Sequence, residues 1–242
     1  PPPLAPEVIR GILRRGHKML LSGPSKSGKS FAMIQLACAV SSGGAWFGHD
    51  CATGRVLYIN LEIDRASFLR RLQDVAERIP AKLDSIDTWS LRGHAMELNA
   101  LTLRLVKRIQ HEAYTLIIVD PIYKTLTGDE NSARDMAAFC NWLDVIAKHA
   151  AAAVAFSSHF SKGVQGHKSS IDRTSGSGVF GRDPDAIGTL TEMDLRGQDD
   201  VSGYWLEWTL REFPSASKTP LAWEWPLHRI EPTLGDCKAK GS

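Results

Sequence analysis

The feature that most constrains the fold is a glycine-rich turn near the start of the chain. Residues 23–30 read G-P-S-K-S-G-K-S, which matches the phosphate-loop pattern G-x-x-x-x-G-K-S. The loop follows the apolar run Met19-Leu20-Leu21 and leads into a helical pattern that begins at Phe31. A strand that enters a helix through such a turn directs backbone N–H groups and the positive end of the helix dipole at one concavity. The pattern therefore predicts a polyphosphate site.

Four residues of this loop have an expected role in binding the nucleotide. Gly23 and Gly28 let the chain turn tightly and let a phosphate approach the backbone. Lys29 is expected to reach the β- and γ-phosphates, and the Ser30 hydroxyl to ligate the Mg²⁺ that bridges them. ATP and Mg²⁺ are the predicted cofactors, and a Gly/Ser-rich loop without a ligand is the alternative. The predicted nucleotide-binding residues are Gly23, Pro24, Ser25, Lys26, Ser27, Gly28, Lys29, Ser30 and Phe31.

Composition and charge narrow the class of protein. The chain has 242 residues, 43% of them apolar and 23% charged, which is enough for one substantial core. The 29 Lys and Arg residues nearly balance the 27 Asp and Glu residues, so any contact with nucleic acid must be local. The four cysteines include no C-x-x-C pair, which favours reduced thiols over a zinc site. Because residues 1–6 do not resemble a signal peptide, we expect a cytoplasmic protein without a membrane partner.

The alternation of apolar runs with helical periods predicts an α/β fold with a mostly parallel sheet flanked by helices. Four short apolar runs read as strands that are buried on both faces, and these are Lys18–Leu21, Val56–Ile59, Leu116–Val119 and Ala153–Phe156. Three later segments predict an antiparallel C-terminal extension, and these are Ala186–Leu190, Tyr204–Leu210 and Leu221–Trp225. We expect the tryptophans of this extension to fill the core, and stacking on nucleic-acid bases is the alternative.

Three polar residues follow predicted central strands at the edge where ligands bind in α/β folds. Asp120 ends an apolar strand in the manner of a Walker B element, and we expect it to hold the Mg²⁺ shell. Glu62 follows another strand and is the candidate catalytic base, although a glutamate that opens the next helix would also fit. His159 is expected to hydrogen-bond the γ-phosphate, and a structural histidine is the alternative.

The segment after His159 is rich in Gly, Ser and cations and poor in apolar residues. Lys162, Lys168 and Arg173 would suit the phosphates of single-stranded DNA, and incidental charge on a surface loop is the alternative. Further on, Arg182 is the candidate arginine finger for a neighbouring subunit. A salt bridge within the chain, to Asp183 or Asp185, would also account for it.

These motifs together resemble the RecA-type P-loop ATPases of the hexameric helicase group, and specifically the RepA-like plasmid replicative helicases and AAA-family ATPases of mobile elements. The resemblance covers most of residues 7–230. The matching segments are Gly23–Ser30, Tyr58–Glu62, Leu116–Pro121, Gly128–Asn131, Ser158–Gly163 and Ser175–Val179.

The resemblance implies a RecA-like ATPase domain at residues 16–232, with tails at residues 1–15 and 233–242. It implies that Glu62 assists attack by water and that His159 senses the γ-phosphate. It also implies a hexameric ring with ATP sites between subunits and single-stranded DNA in a central channel. The finger segment aligns only roughly, so Arg173 is the second candidate after Arg182.

The same nucleotide residues would serve other functions. An ATP-dependent switch or loader that binds a protein partner is the main alternative to a DNA motor. A small-molecule kinase would need a lid with several arginines, and we find no compact candidate for one. A non-catalytic nucleotide-binding module would require Glu62 to be inert.

Overall fold

The structure is a computed structural model of the chain. The residues that it describes are 1–92, 105–109, 112–121, 133–159, 179, 181–195 and 202–240.

Strands and helices alternate through the first two-thirds of the described chain, and strands dominate the rest. In chain order the strands are β1 (Glu7–Ile9), β2 (Leu13–Arg14), β3 (Lys18–Gly23), β4 (Ala45–Trp46), β5 (His49–Asp50), β6 (Arg55–Asn60), β7 (Ile86–Ser90), β8 (Tyr114–Asp120), β9 (Ala153–His159), β10 (Ala186–Glu192), β11 (Ser202–Leu210), β12 (Thr219–Glu224) and β13 (Leu227–Ile230). Among the described residues the α-helices are α1 (Lys29–Ser42), α2 (Arg65–Ala76) and α3 (Ala133–Ala150), and residues 105–109 are also helical. Short 3-10 helices of the described part lie at Leu83–Ser85 and Pro232–Leu234.

One sheet of nine strands organises the described residues, in the order β13-β12-β11-β10-β3-β9-β8-β6-β7. Strands β10, β3, β9, β8, β6 and β7 pair in parallel, and β11, β12 and β13 extend the sheet in antiparallel fashion. The predicted α/β class, with a mostly parallel sheet and antiparallel C-terminal strands, is confirmed. In detail, β10 differs from the predicted extension because it pairs in parallel with β3, so the antiparallel part begins at β11.

The central strands are buried on both faces, as their continuous apolar sequence predicts. In β8, Leu116 and Ile118 belong to the apolar cluster that contains residues of α1 and α2, whereas Ile117 and Val119 belong to the cluster that contains residues of α3. Side chains alternate across a strand, so a strand between two helical layers needs apolar residues at every position. The core therefore consists of two layers, one on each face of the sheet.

Helix α1 starts directly from the loop after β3, and its first turn depends on Gly28. Gly28 has a φ of 72°, in the left-handed region that non-glycine residues rarely adopt. A Cβ at this position would lie 2.7 Å from Nε2 of His228 and 3.0 Å from the ring of Trp223. Both the backbone conformation and the lack of space therefore require glycine here.

The C-terminal hairpin β12–β13 is fixed against this loop by a buried histidine. The His228 backbone N–H donates to Gln35 Oε1 and the Gln35 amide donates to the His228 carbonyl, both at 2.9 Å. His228 Nε2 lies 3.0 Å from the Ser27 carbonyl, so this nitrogen carries the proton. The other ring nitrogen, Nδ1, is buried without a hydrogen-bond partner among the described residues. Residues far apart in sequence thus join the hairpin, α1 and the loop into one unit.

Segments at both ends of the chain pack on this unit. Strands β1 and β2 form a hairpin within the expected N-terminal tail, and its residues Val8, Ile9 and Leu13 are fully buried. Leu234, in the expected C-terminal tail, is also buried. The predicted limits of the ATPase domain, residues 16 and 232, remain predictions. Among the described residues, no helix is both long enough and apolar enough to cross a membrane.

Stability should depend on pH through His228. Burial lowers the pKa of this imidazole from 6.5 to about 4, and the charge of Lys29 acts in the same direction. Because the folded-state pKa lies below the unfolded value, the stabilisation is complete above pH 6.5 and is lost as the pH falls toward 4. We expect the free energy of unfolding to fall by about 2 kcal/mol between pH 7 and pH 5 from this group, measured by urea denaturation.

The matched control is His228→Gln, because the glutamine amide can still donate a hydrogen bond but does not titrate. This variant should lose less stability than the native chain between pH 7 and pH 5. Equal losses in the two proteins would contradict a role for His228.

Candidate nucleotide site

A cavity of about 600 Å³ opens at the carboxyl ends of the central strands. The phosphate loop and the start of α1 form one wall, and the ends of β6, β8 and β9 form another. The turn of the β12–β13 hairpin closes a third side. This is the edge of an α/β sheet at which ligands bind.

The register of the parallel strands aligns their polar ends. Gly23 at the end of β3 pairs with His159 at the end of β9, and Asn60 of β6 pairs with Asp120 of β8. All of the predicted nucleotide-binding residues from Ser25 to Phe31 line the cavity, together with Glu62, Asp120 and His159. The structure thus brings these sequence-predicted residues together.

Lys29 is buried and folds back on its own loop. Its Nζ donates to the carbonyls of Gly23 and Pro24, at 3.0 Å and 2.6 Å. Burial lowers the pKa of the ammonium group from 10.5 to about 8, while the charges of Asp120 and Glu62 act in the opposite direction. Lys29 is therefore a cation in a confined place, and two carbonyls of its own loop are among its contacts.

Asp120 is held from two sides at the end of β8 and is only 2% exposed. The Tyr58 hydroxyl donates to one carboxylate oxygen at 2.7 Å, and the Ser157 hydroxyl donates to the other. Burial raises the pKa of Tyr58 well above its usual value, with the Asp120 charge adding to this effect, so the phenol keeps its proton. Sequence reasoning missed Tyr58 and Ser157 as partners of Asp120, because nothing in their local pattern indicates the cross-strand contact.

Glu62 lies exposed in the turn that follows β6, and a neighbouring side chain shapes this turn. Asn60 Oδ1 accepts from the backbone N–H groups of Glu62 and Ile63, at 3.3 Å and 3.0 Å. The Asn60 amide also donates to the Ile63 carbonyl at 2.6 Å. Helix α2 then begins after Asp64, whose carboxylate accepts from the backbone of Ser67. Asp64 rather than Glu62 therefore caps this helix. Glu62 is one of the residues that line the cavity.

His159 stands beside Lys29 at the end of β9. Its Nδ1 lies 3.2 Å from Lys29 Nζ and 3.5 Å from the Ser25 hydroxyl. Since an ammonium group can only donate, Nδ1 acts as the acceptor toward Lys29. The strand-end histidine and the loop lysine are thus in direct contact.

The residues present fit a magnesium ion that arrives with a nucleotide. Among the described residues, no group of three or more His, Cys, Asp and Glu side chains could hold a metal. Ser30 and Asp120 line the same cavity and offer hard oxygen ligands. Mg²⁺ is commonly held by one or two protein oxygens together with substrate phosphates and water. A protein site of two oxygens is therefore sufficient for a Mg²⁺–triphosphate complex.

Three further residues, Arg71, Trp223 and Trp225, line the cavity where the sequence predicts no site residue or a different role. Arg71 of α2 lies with its guanidinium carbon 5.0 Å from the Phe31 ring centroid. Trp223 and Trp225 were expected to be core residues, but Trp223 is half-buried and Trp225 is 58% exposed in the hairpin turn. The predicted strand thus ends at Glu224, one residue early. Trp205 and Trp208, by contrast, are buried as predicted.

Arg182 lies far from this cavity within its own chain. Asp185, just before β10, exchanges two hydrogen bonds with Lys18, the first residue of β3. Arg182 therefore lies at the edge of the sheet where β3 begins. The length of β3, about 20 Å at 3.3 Å per residue, separates this edge from the phosphate loop. Asp183 pairs with Lys18 and Asp185 pairs with Arg211. Action of Arg182 on a neighbouring subunit's site stays a prediction.

Several other predicted residues lie outside the described part of the chain. These are Lys162, Lys168 and Arg173, together with the segment Gly128–Asn131.

Comparison with known families supports the assignment of this cavity as a nucleotide site. The AAA domain family matches residues 1–165, out of 242 in the chain. The matched region contains the phosphate loop and strands β6, β8 and β9, and it ends before β10. No curated protein matches the chain significantly. Because the match spans more than half of the chain and includes the whole strand-end row around the cavity, the chain belongs to the AAA domain family of P-loop ATPases.

Proposed function

We propose that this chain hydrolyses ATP with Mg²⁺ in the cavity at the phosphate loop and acts as an oligomeric motor on single-stranded DNA. The observation that carries the catalytic part is the convergence of Lys29, Asp120 and Glu62 on one cavity. Phosphoryl transfer to water needs a cation at the phosphates, a carboxylate that can hold Mg²⁺ and a carboxylate that can accept a proton from the attacking water. Lys29, Asp120 and Glu62 are groups of these three kinds.

Binding of the triphosphate relies on the loop backbone and on Lys29. The Lys29 ammonium exchanges its contacts with the Gly23 and Pro24 carbonyls for contacts with phosphate oxygens. Backbone N–H groups at the start of α1 add further donors. Mg²⁺, when bound through Ser30 and Asp120, supplies positive charge that offsets the charge of the phosphate oxygens. Tyr58 and Ser157 keep the Asp120 carboxylate oriented through their hydrogen bonds.

Hydrolysis is an in-line displacement in which Glu62 accepts a proton. A water oxygen forms a bond to the γ-phosphorus, the bond from this phosphorus to the bridging oxygen of ADP breaks, and a water proton passes to the Glu62 carboxylate. Asn60 holds the turn that presents Glu62, so it acts as a positioning residue. Positioning and charge stabilisation supply most of the acceleration in this type of reaction.

Coupling to DNA is proposed to run through His159. This residue contacts Lys29, which binds the terminal phosphates, and it directly precedes the segment with Lys162, Lys168 and Arg173. Loss of the γ-phosphate changes what Lys29 contacts, and His159 can pass this change on to the following segment. The resemblance to plasmid replicative helicases supports a hexameric ring with Arg182 as the trans finger, and a role in plasmid or mobile-element replication.

A switch or loader that binds a protein partner is the second candidate. The observation that favours it is the near balance of charge, since 29 basic and 27 acidic residues create no general attraction for nucleic acid.

Two substitutions test the catalytic assignment. Lys29→Ala removes the cation of the loop and should abolish measurable binding and turnover of Mg·ATP. Glu62→Gln keeps the turn held by Asn60 but removes the base, so the rate constant kcat should fall by about 100-fold or more while the Kd for ATP stays unchanged. Calorimetry and phosphate release measure the two quantities.

Lys148→Ala is the control for loss of a lysine, because this side chain is exposed on α3, away from the cavity. It should behave like the native chain. Native turnover in Glu62→Gln would remove Glu62 from the catalytic role, and native affinity in Lys29→Ala would remove the site itself.

Affinity for Mg·ATP should depend on the protonation of Lys29. The pKa of this group is about 8 before the nucleotide binds, and only the protonated form attracts phosphate. The Kd should therefore rise as the pH increases above 8, by up to about tenfold per pH unit. Calorimetry at pH 7, 8 and 9 in two buffers of different ionisation enthalpy should reveal proton uptake at the higher pH. A constant Kd over this range would be inconsistent with the loss of the Lys29 proton in the free protein above pH 8.

DNA and protein partners can be distinguished by what stimulates the ATPase. A motor predicts that a single-stranded oligonucleotide accelerates hydrolysis and that rings sediment in the presence of ATP and Mg²⁺. The double variant Lys162→Ala/Lys168→Ala should lose this stimulation, and Lys148→Ala should retain it. A strict monomer under all of these conditions would contradict both the ring and the trans finger. Stimulation by a protein alone would favour the switch.

A further inference from the structure

The cavity continues beyond the part that phosphates can fill. Lys29, Ser30 and the loop define its phosphate end, the strand ends line a second part, and a third part is lined by Phe31, Arg71, Trp223 and Trp225. At about 600 Å³ the cavity lies in the size range of sites that enclose a whole small-molecule ligand. A triphosphate carries a nucleoside, and the aromatic part of the lining offers flat apolar surfaces that suit its base.

The exposure of Trp225 is unusual for such a large apolar side chain. Trp225 lies in the two-residue turn between β12 and β13 and is 58% exposed. Its ring centroid lies 4.6 Å from that of Phe31 in an edge-on contact, and 6.3 Å from that of Trp223. These contacts hold the indole in place while more than half of its surface stays open. A prearranged, open aromatic surface can stack a flat base at little ordering cost.

The turn that carries Trp225 is tied to the phosphate loop. His228 of the same hairpin contacts the Ser27 carbonyl and exchanges two hydrogen bonds with Gln35 of α1. Trp223 also packs on the His228 ring, at 4.7 Å between centroids. The distance between the aromatic surface and the loop is therefore fixed by buried contacts. A site that binds a base at one end and phosphates at the other requires such a fixed distance.

We propose that Trp225, supported by Phe31 and Trp223, forms the surface on which the base of the bound nucleoside triphosphate stacks. Arg71 adds a planar cation on the same Phe31 ring, which strengthens the preference for a π-system. This inference rests on the proposed function, because it assumes that a triphosphate occupies the loop. Trp223 and Trp225 lie in the C-terminal hairpin, outside the residues 1–165 that match the AAA domain family, whereas Phe31 and Arg71 lie within them.

The test compares two ligands that share the phosphates and differ in the base. Calorimetry measures the Kd of Mg·ATP and of Mg·tripolyphosphate for the native chain and for Trp225→Ala. We expect the Kd of ATP to rise about tenfold in the variant, since loss of one stacking contact has an effect of this size. The Kd of tripolyphosphate should change by less than about twofold, because this ligand has no base.

Two matched variants separate stacking from support of the hairpin. Trp225→Phe keeps a ring and should stay within about threefold of the native Kd for ATP. Arg229→Ala removes the 3.3 Å ion pair with Glu224 on the same hairpin, outside the cavity, and should leave both ligands unaffected.

Several outcomes would overturn the proposal. In Trp225→Ala these are an unchanged Kd for ATP, an equal loss of affinity for both ligands, or a loss of affinity for a single-stranded oligonucleotide with ATP binding intact. If the native chain binds ATP no more tightly than tripolyphosphate, the base subsite fails but the phosphate site stands. If the native chain binds neither ligand, the proposed function fails and the base subsite fails with it.

Discussion

The left-handed turn at Gly28 is the constraint on which the rest of the site depends. It lets β3, a fully buried central strand, pass directly into α1, so that the loop between them stands at the carboxyl edge of the sheet. The lack of space around Gly28 shows that the C-terminal hairpin packs onto this same turn. A side chain here would disturb the helix start and the hairpin together. The geometry of one residue thus connects the first third of the chain with its end.

Around this turn the structure concentrates groups that are costly to bury. Lys29 and Asp120 are both almost completely buried, and each is held by hydrogen bonds to other protein groups. Burial lowers the pKa of Lys29 to about 8, which marks a cation without enough negative charge around it. Perturbed groups of this kind are concentrated in functional sites. A triphosphate would supply the negative charge that Lys29 lacks in the protein alone.

The C-terminal strands extend the sheet and also contribute side chains to the cavity. Their tryptophans divide into two sets, because Trp205 and Trp208 complete the core whereas Trp223 and Trp225 line the cavity. The hydrogen bonds of His228 tie this hairpin to the phosphate loop and to α1. The hairpin thus adds aromatic side chains to a cavity whose other walls are the phosphate loop and the strand ends.

Local pattern was sufficient to predict the layered α/β fold and the residues at the strand ends, since burial on both faces requires continuous apolar runs and the phosphate loop has a diagnostic spacing. Lys29, Glu62 and Asp120 follow from that pattern because each lies beside a readable strand or turn. Local pattern does not predict the parallel pairing of β10, the partners of Asp120 or the exposure of Trp225. Each of these depends on which distant segments meet in the sheet, and contacts between residues far apart in sequence leave no trace in the periodicity of either segment.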